Sequence, residues 1–163
     1  FAPYTANPLT IPISGLSFIF LLSVQTNFLL AAAIEEGLVS EETKFYCERG
    51  NYRFGGHRIH DMKPYEELTA LEVIVQSSNI GATKIAERLE AQTWWEYLNA
   101  FGFAQKTGID LPGEVSGSLR PWRKWAKVAL ATHAFGHGFS VTTLQMATAF
   151  AALANGGVLL QPC

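Results

Sequence analysis

The chain has 163 residues, 48% hydrophobic and 16% charged, which is enough to bury one ordinary core and too apolar for a disordered chain. Its formal net charge of −2, with no local Lys/Arg cluster, excludes a general attraction to nucleic acid. Cys47 and Cys163 lie far apart, with neither a C-x-x-C pair nor zinc-ligand spacing, and leave the redox compartment undecided.

The sequence opens on Phe1 rather than Met, and Cys163 follows an apolar run that is just beginning, so it reads as part of a longer chain. Residues 1–34 carry no charge, and 11–34 are long enough to cross a hydrocarbon core of about 30 Å as a helix. Ser23, Gln25, Thr26 and Asn27 near its middle oppose a membrane span, as does the lack of a basic flank. A membrane span, a buried core helix and a disturbed sequence all remain open for this segment.

Gly37 is a plausible helix stop after Glu35 and Glu36. Residues 40–60, with Gly50, Gly55 and Gly56, suit a loop or short hairpin. Helical patterns follow in LTALEVIVQ, GATKIAERL and TWWEYLNAF. In the last, Trp94, Leu98 and Phe101 recur on one face and Gly102 sits at the expected C-cap. Residues 106–121, rich in Gly and Pro, read as a connecting loop. Thr142 and Gln145 have capping-box spacing before a final helix that runs through Ala154 and stops at Asn155-Gly156-Gly157. Residues 158–160, Val-Leu-Leu, look like the start of a strand.

Ser77-Ser78-Asn79, directly before Ile80, is first of all a helix N-cap signal, because Ser and Asn side chains accept backbone N–H groups left open in the first turn. The histidines fall in two close pairs, His57 with His60 and His133 with His137. Gly136 and Gly138 make a regular helix through the second pair doubtful, and no Glu follows His133 as in helical zinc sites. No metal site is assigned.

Taken together, GGHRIHDMKPYEELTALEVIVQSSNIGATKIAERL, FGFAQKTGIDLPGEVSG and ATHAFGHGFSVTTLQMATAFAALANGGVLLQP resemble the transpeptidase domain of class B penicillin-binding proteins. The resemblance runs from about Ala31 to Pro162. It implies an α/β fold of the penicillin-binding and serine β-lactamase type, here its mainly helical part, with most of the central sheet missing. Residues 1–163 would then be one partial transpeptidase domain.

The resemblance also implies a function in cell-wall synthesis. A serine attacks the D-Ala-D-Ala end of a peptidoglycan stem peptide, the acyl-enzyme passes to an amine, and β-lactams trap the same serine. A site on the periplasmic or outer face of the cytoplasmic membrane is implied, anchored by a segment upstream, with partners in a cell-wall synthesis complex and no cofactor or metal. Three motifs carry the chemistry in this family: Ser-x-x-Lys, Ser-x-Asn and Lys-Thr-Gly.

Carried onto this sequence, the second motif falls on Ser77 and Asn79, with a hydroxyl for proton transfer and an amide to hold substrate. The first places the nucleophile at Ser23 and the lysine at Thr26. Threonine cannot act as a base at neutral pH as an amine of lowered pKa does. The departure from the family pattern is confined to residues 10–27. Lys106-Thr107-Gly108 spells the third motif but precedes the last helix, whereas the family's catalytic copy follows it on a strand. The expectation is therefore an impaired or inactive enzyme. A non-catalytic partner-binding module and a membrane-anchored module of the same fold are the alternatives, and a β-lactamase or D,D-carboxypeptidase fits the loop and last-helix wording less well.

Overall fold

The computed structural model describes residues 24–163. Helix α1, Val24–Glu35, is buried from Phe28 through Ala33 on every side. Such a helix has no polar face to offer water and belongs inside a core. Phe28 anchors it, its ring centroid 4.8 Å from Phe101, 5.3 Å from Phe103 and 4.8 Å from Phe150. No helix among the described residues is long and apolar enough to cross a membrane. The described part of the apolar run 11–34 is thus a core helix, and residues 11–23 lie outside the described residues.

Four short strands follow. β1, Lys44–Tyr46, pairs antiparallel with β4, Glu67–Thr69; β2, Asn51–Phe54, pairs with β3, His57–His60. Of the two readings of 40–60, loop or short hairpin, the second pair is a hairpin. Gly55 and Gly56 both take positive φ, as a two-residue hairpin turn of matching twist requires. The β1–β4 pair has three residues per strand, too short for an alternating pattern to reveal.

Helix α2, Ala70–Val75, opens on a capping box between Thr69 and Glu72. Helix α3, Asn79–Leu89, buries Ile80, Ile85 and Leu89 and packs against α1, α2 and α5. Gly81 makes its approach to α2 possible, since a β-carbon there would fall 2.3 Å from Val73 Cγ2. Helix α4, Ala91–Ala100, buries the predicted stripe of Trp94 and Leu98, continued by Phe101, and Gly102 stops it at φ +82°.

Helix α5, Lys127–Ala134, was not legible in the sequence. It carries no clear apolar stripe, and its N-cap is Ala126 with no side-chain cap. Its end at Ala134 leaves His133 inside the helix and His137 outside it, so the two do not share a helical face. Helix α6, Thr143–Ala154, has the predicted capping box of Thr142 and Gln145. Gln145 is buried and its amide also donates to the carbonyls of Gln105 and Ser116, pinning both sides of the 106–121 loop. Residues 158–160 are the expected start of a strand. Only a single bridge position, Leu160, appears there among the described residues.

Candidate active site

The site is built at the junction of α2 and α3. The N–H of Ser77 bonds the carbonyl of Ile74 at 3.1 Å, and that of Ser78 bonds Val73 at 3.0 Å. These are the paired bonds that close a helix C-terminus when the residue just past the cap turns left-handed. That residue is Ser77, at φ +52°. Glycine normally fills this position because a β-carbon there costs roughly 1–2 kcal/mol.

Ser78, fully inside the protein, is the N-cap of α3, and its Oγ accepts the N–H of Gly81 at 2.9 Å. The capping and functional readings of the triplet therefore separate. The middle serine caps, while the flanking Ser77 and Asn79 are half-buried on either side of it.

Asp61, just after β3, fastens this turn. Its Oδ2 accepts the Ser78 hydroxyl at 2.6 Å and its Oδ1 accepts the N–H of Ile80 at 3.0 Å. A carboxylate against the open N–H groups of a helix start is favourable in charge as well as in hydrogen bonding. The preceding residue contributes too, since Asn79 Nδ2 donates to the carbonyl of His60 at 2.9 Å. Cys47 Sγ lies 3.7 Å behind Ser78 Oγ, and burial pushes its thiol up, away from the reactive thiolate form. In the sequence Asp61 merely follows the pair His57 and His60. The 17 residues separating it from Ser78 carry no periodicity that links them.

Of the remaining candidates, Ser23 lies outside the described residues. Thr26 is 1% exposed on α1, which runs against α3. The start of α1 also meets the loop after α5, where Gly136 leaves room for the Gln25 amide.

Lys106-Thr107-Gly108 is not on a strand. Glu114 Oε1 accepts both the N–H of Thr107 at 2.5 Å and its hydroxyl at 2.7 Å, and Oε2 accepts the N–H of Gly108 at 3.4 Å. The Thr107 hydroxyl, with help from its backbone, holds the Glu114 carboxyl below its ordinary range. Gly108's carbonyl in turn accepts from Gln161 at 2.6 Å. This copy of the motif is a self-satisfied loop.

The sequence of residues 23–163 matches the family described as penicillin binding protein transpeptidase domain. The chain belongs to that family.

Among its transpeptidase relatives, stage V sporulation protein D of Bacillus subtilis is 41% identical over 135 residues, covering 82% of this chain and 21% of that protein. The peptidoglycan D,D-transpeptidase FtsI of Escherichia coli is 33% identical over 126 residues, 77% of this chain and 21% of its own length. The solved transpeptidase domain of Burkholderia pseudomallei penicillin-binding protein 3 superposes with a TM-score of 0.83 at 34% identity, covering 85% of this chain and 42% of that one. Penicillin-binding protein 3 of Mycobacterium tuberculosis, solved with aztreonam, superposes at 0.80 with 33% identity, covering 86% and 32%. The chain spans about a fifth of the length of the curated relatives it matches. The fold is that of the penicillin-binding transpeptidases, represented here by its helix-rich part and two small sheets.

Proposed function

We propose that this chain is part of a peptidoglycan D,D-transpeptidase domain, whose reaction is transfer of an acyl group from a stem peptide ending in D-Ala-D-Ala through a serine ester, and which β-lactams acylate at the same serine. The observation that carries the reading is the strained turn at Ser77. A non-glycine residue is kept left-handed where glycine would be cheaper, and the residues just after it, Ser78 and Asn79, are locked by Asp61 and His60. Rigid support of this kind suits a hydroxyl and an amide that must meet a substrate in fixed positions.

In this reading Ser23 is the nucleophile, Ser77 relays a proton, and Asn79 holds the substrate amide. Residues 1–163 form one partial domain and 10–27 are its divergent segment. The protein works at the outer face of the cytoplasmic membrane beside other cell-wall synthesis proteins. Thr26, neutral and enclosed, stands where the base is needed, so acylation is slowed by about 10²- to 10⁴-fold, the usual contribution of positioned proton transfer.

The test is intact-mass analysis of the full-length protein with a labelled penicillin, beside Thr26→Lys, with peptide mapping of any adduct. The expected outcome is little adduct in the unmodified protein and rapid labelling of Ser23 in Thr26→Lys. Equal, fast labelling of both refutes the impairment. No labelling of either, in protein shown to be folded, refutes acyl transfer and leaves the non-catalytic module.

A further inference from the structure

A groove of about 320 Å³ lies where the β2–β3 hairpin tip, the α3–α4 junction and the start of α5 meet. That volume is in the range of small-ligand pockets. It sits at the far end of α3 from Ser77 and Asn79, about 16 Å away by the rise of an eleven-residue helix. It is therefore separate from the site described above.

Phe54, Trp125 and Leu130 form its apolar wall, and Glu87, Glu90 and Lys127 its polar rim. The wall is held in place. The Trp125 indole donates to the Arg120 carbonyl at 2.9 Å and its ring stacks on His133 with centroids 4.0 Å apart. The hairpin tip sits so close to α5 that a β-carbon on Gly55 would fall 2.7 Å from Val128 N.

The rim is short of positive charge. Ion pairs among the described residues join Lys44 to Glu67, Arg49 to Glu66 and Lys84 to Glu48, and none reaches Glu87 or Glu90. Among the described residues, Glu87 accepts only the neutral hydroxyl of Tyr52, at 3.0 Å. The ring wall already accommodates a cation, since Lys127 Nζ lies 5.7 Å from the Phe54 centroid. Glu90 adds a strained backbone, φ +67° and ψ 160°, a combination that non-glycine residues rarely adopt.

We propose that this groove receives an arginine side chain of a partner protein, its stem against Phe54, Trp125 and Leu130 and its guanidinium on Glu87 and Glu90. Arginine fits better than lysine because its flat, weakly hydrated head stacks on aromatic rings while forking onto carboxylates. Lys127 is the internal competitor that the arginine displaces from the Phe54 face.

The test follows the Trp125 indole resonance by NMR during titration with the capped peptide Ac-Ala-Arg-Ala-NH₂. The expected result is a saturable shift that weakens with salt and that the citrulline peptide does not reproduce. Glu90→Gln lowers the affinity about fivefold, the effect of losing one solvent-accessible ion pair, and Lys127→Ala raises it. The Glu90 carboxylate accepts no hydrogen bond among the described residues, and only its backbone carbonyl is used there, by the N–H of Trp94 at 3.0 Å, so Glu90→Gln carries the test even if Glu87→Gln disturbs Tyr52. The proposal is overturned by absence of a shift, by equal binding of the citrulline peptide, or by an unchanged affinity in Glu90→Gln. Butylguanidinium binding as tightly as the peptide also overturns it, because the groove would then be a site for a free organic cation.

Discussion

The carboxylate of Asp61 lies 2.6 Å from Ser78 Oγ and, through its other oxygen, 3.0 Å from the N–H of Ile80. One side chain from the end of a hairpin thus sets where the central helix begins. Asp61→Ala leaves a buried hydroxyl and a helix N–H without their acceptor, and is expected to cost about 2–3 kcal/mol. Asp61→Asn, which keeps one acceptor oxygen, should cost less. Urea denaturation of both variants checks the order, and a neutral Asp61→Ala would show that the turn holds itself.

Ser77 sits left-handed at φ +52°. Ser77→Gly and Ser77→Ala both remove the hydroxyl, but only glycine relieves the backbone. The glycine variant should therefore be more stable than the alanine variant by about 1 kcal/mol. Equal denaturation midpoints would mean that the turn relaxes in solution.

Gly81 and Val73 form a tight helix crossing, with a β-carbon at residue 81 only 2.3 Å from one Val73 methyl. Gly81→Ala is expected to destabilise by about 1–3 kcal/mol through overpacking. Adding Val73→Ala makes room, so the double variant should lose less than the two single losses combined, by at least about 0.5 kcal/mol. Strict additivity in a double-mutant cycle would place the strain elsewhere.

His133 is 4% exposed, with Nδ1 on the carbonyl of Ala129, Nε2 without a partner among the described residues, and its ring between Trp125 and Phe139. Burial pushes its pKa below the ordinary 6.5, against a smaller opposing effect of the Ala129 bond. As pH falls below 6.5 the unfolded chain takes up a proton that the folded chain resists, so this histidine disfavours folding progressively down to its lowered folded pKa. Above 6.5 both states are neutral and the effect vanishes. Thermal melts between pH 7.5 and 5 should show the unmodified protein losing more stability than His133→Phe; parallel curves would contradict the burial.

Glu114 holds Thr107 and Gly108 through three contacts. Glu114→Ala should speed hydrogen exchange at the Thr107 amide while leaving Gly81, on α3, unchanged. Lowering the pH through the depressed Glu114 pKa should produce the same local loosening, because the protonated carboxyl accepts these bonds poorly. Unaltered exchange at Thr107 would show that Gln145 and Gln161 alone hold the loop.

Residue spacing was sufficient for much of the fold. The face formed by Ile80, Ile85 and Leu89, the Trp94–Leu98–Phe101 stripe, the Thr142–Gln145 box and the glycine hairpin are all local patterns within one or two turns of chain, and local sterics and backbone hydrogen bonding decide them. The family wording around Ser77 and Asn79 was equally legible. Tertiary structure alone decided the rest. Helix α5 forms because its small residues fit against α3, not because of an amphipathic stripe. Ser78 rather than its neighbours became the cap because Asp61 arrives from another element. Lys106-Thr107-Gly108 became a loop because Glu114 and Gln161 fold onto it. Each of these depends on groups distant in sequence brought within hydrogen-bonding or van der Waals range, and short-range periodicity carries no record of such meetings.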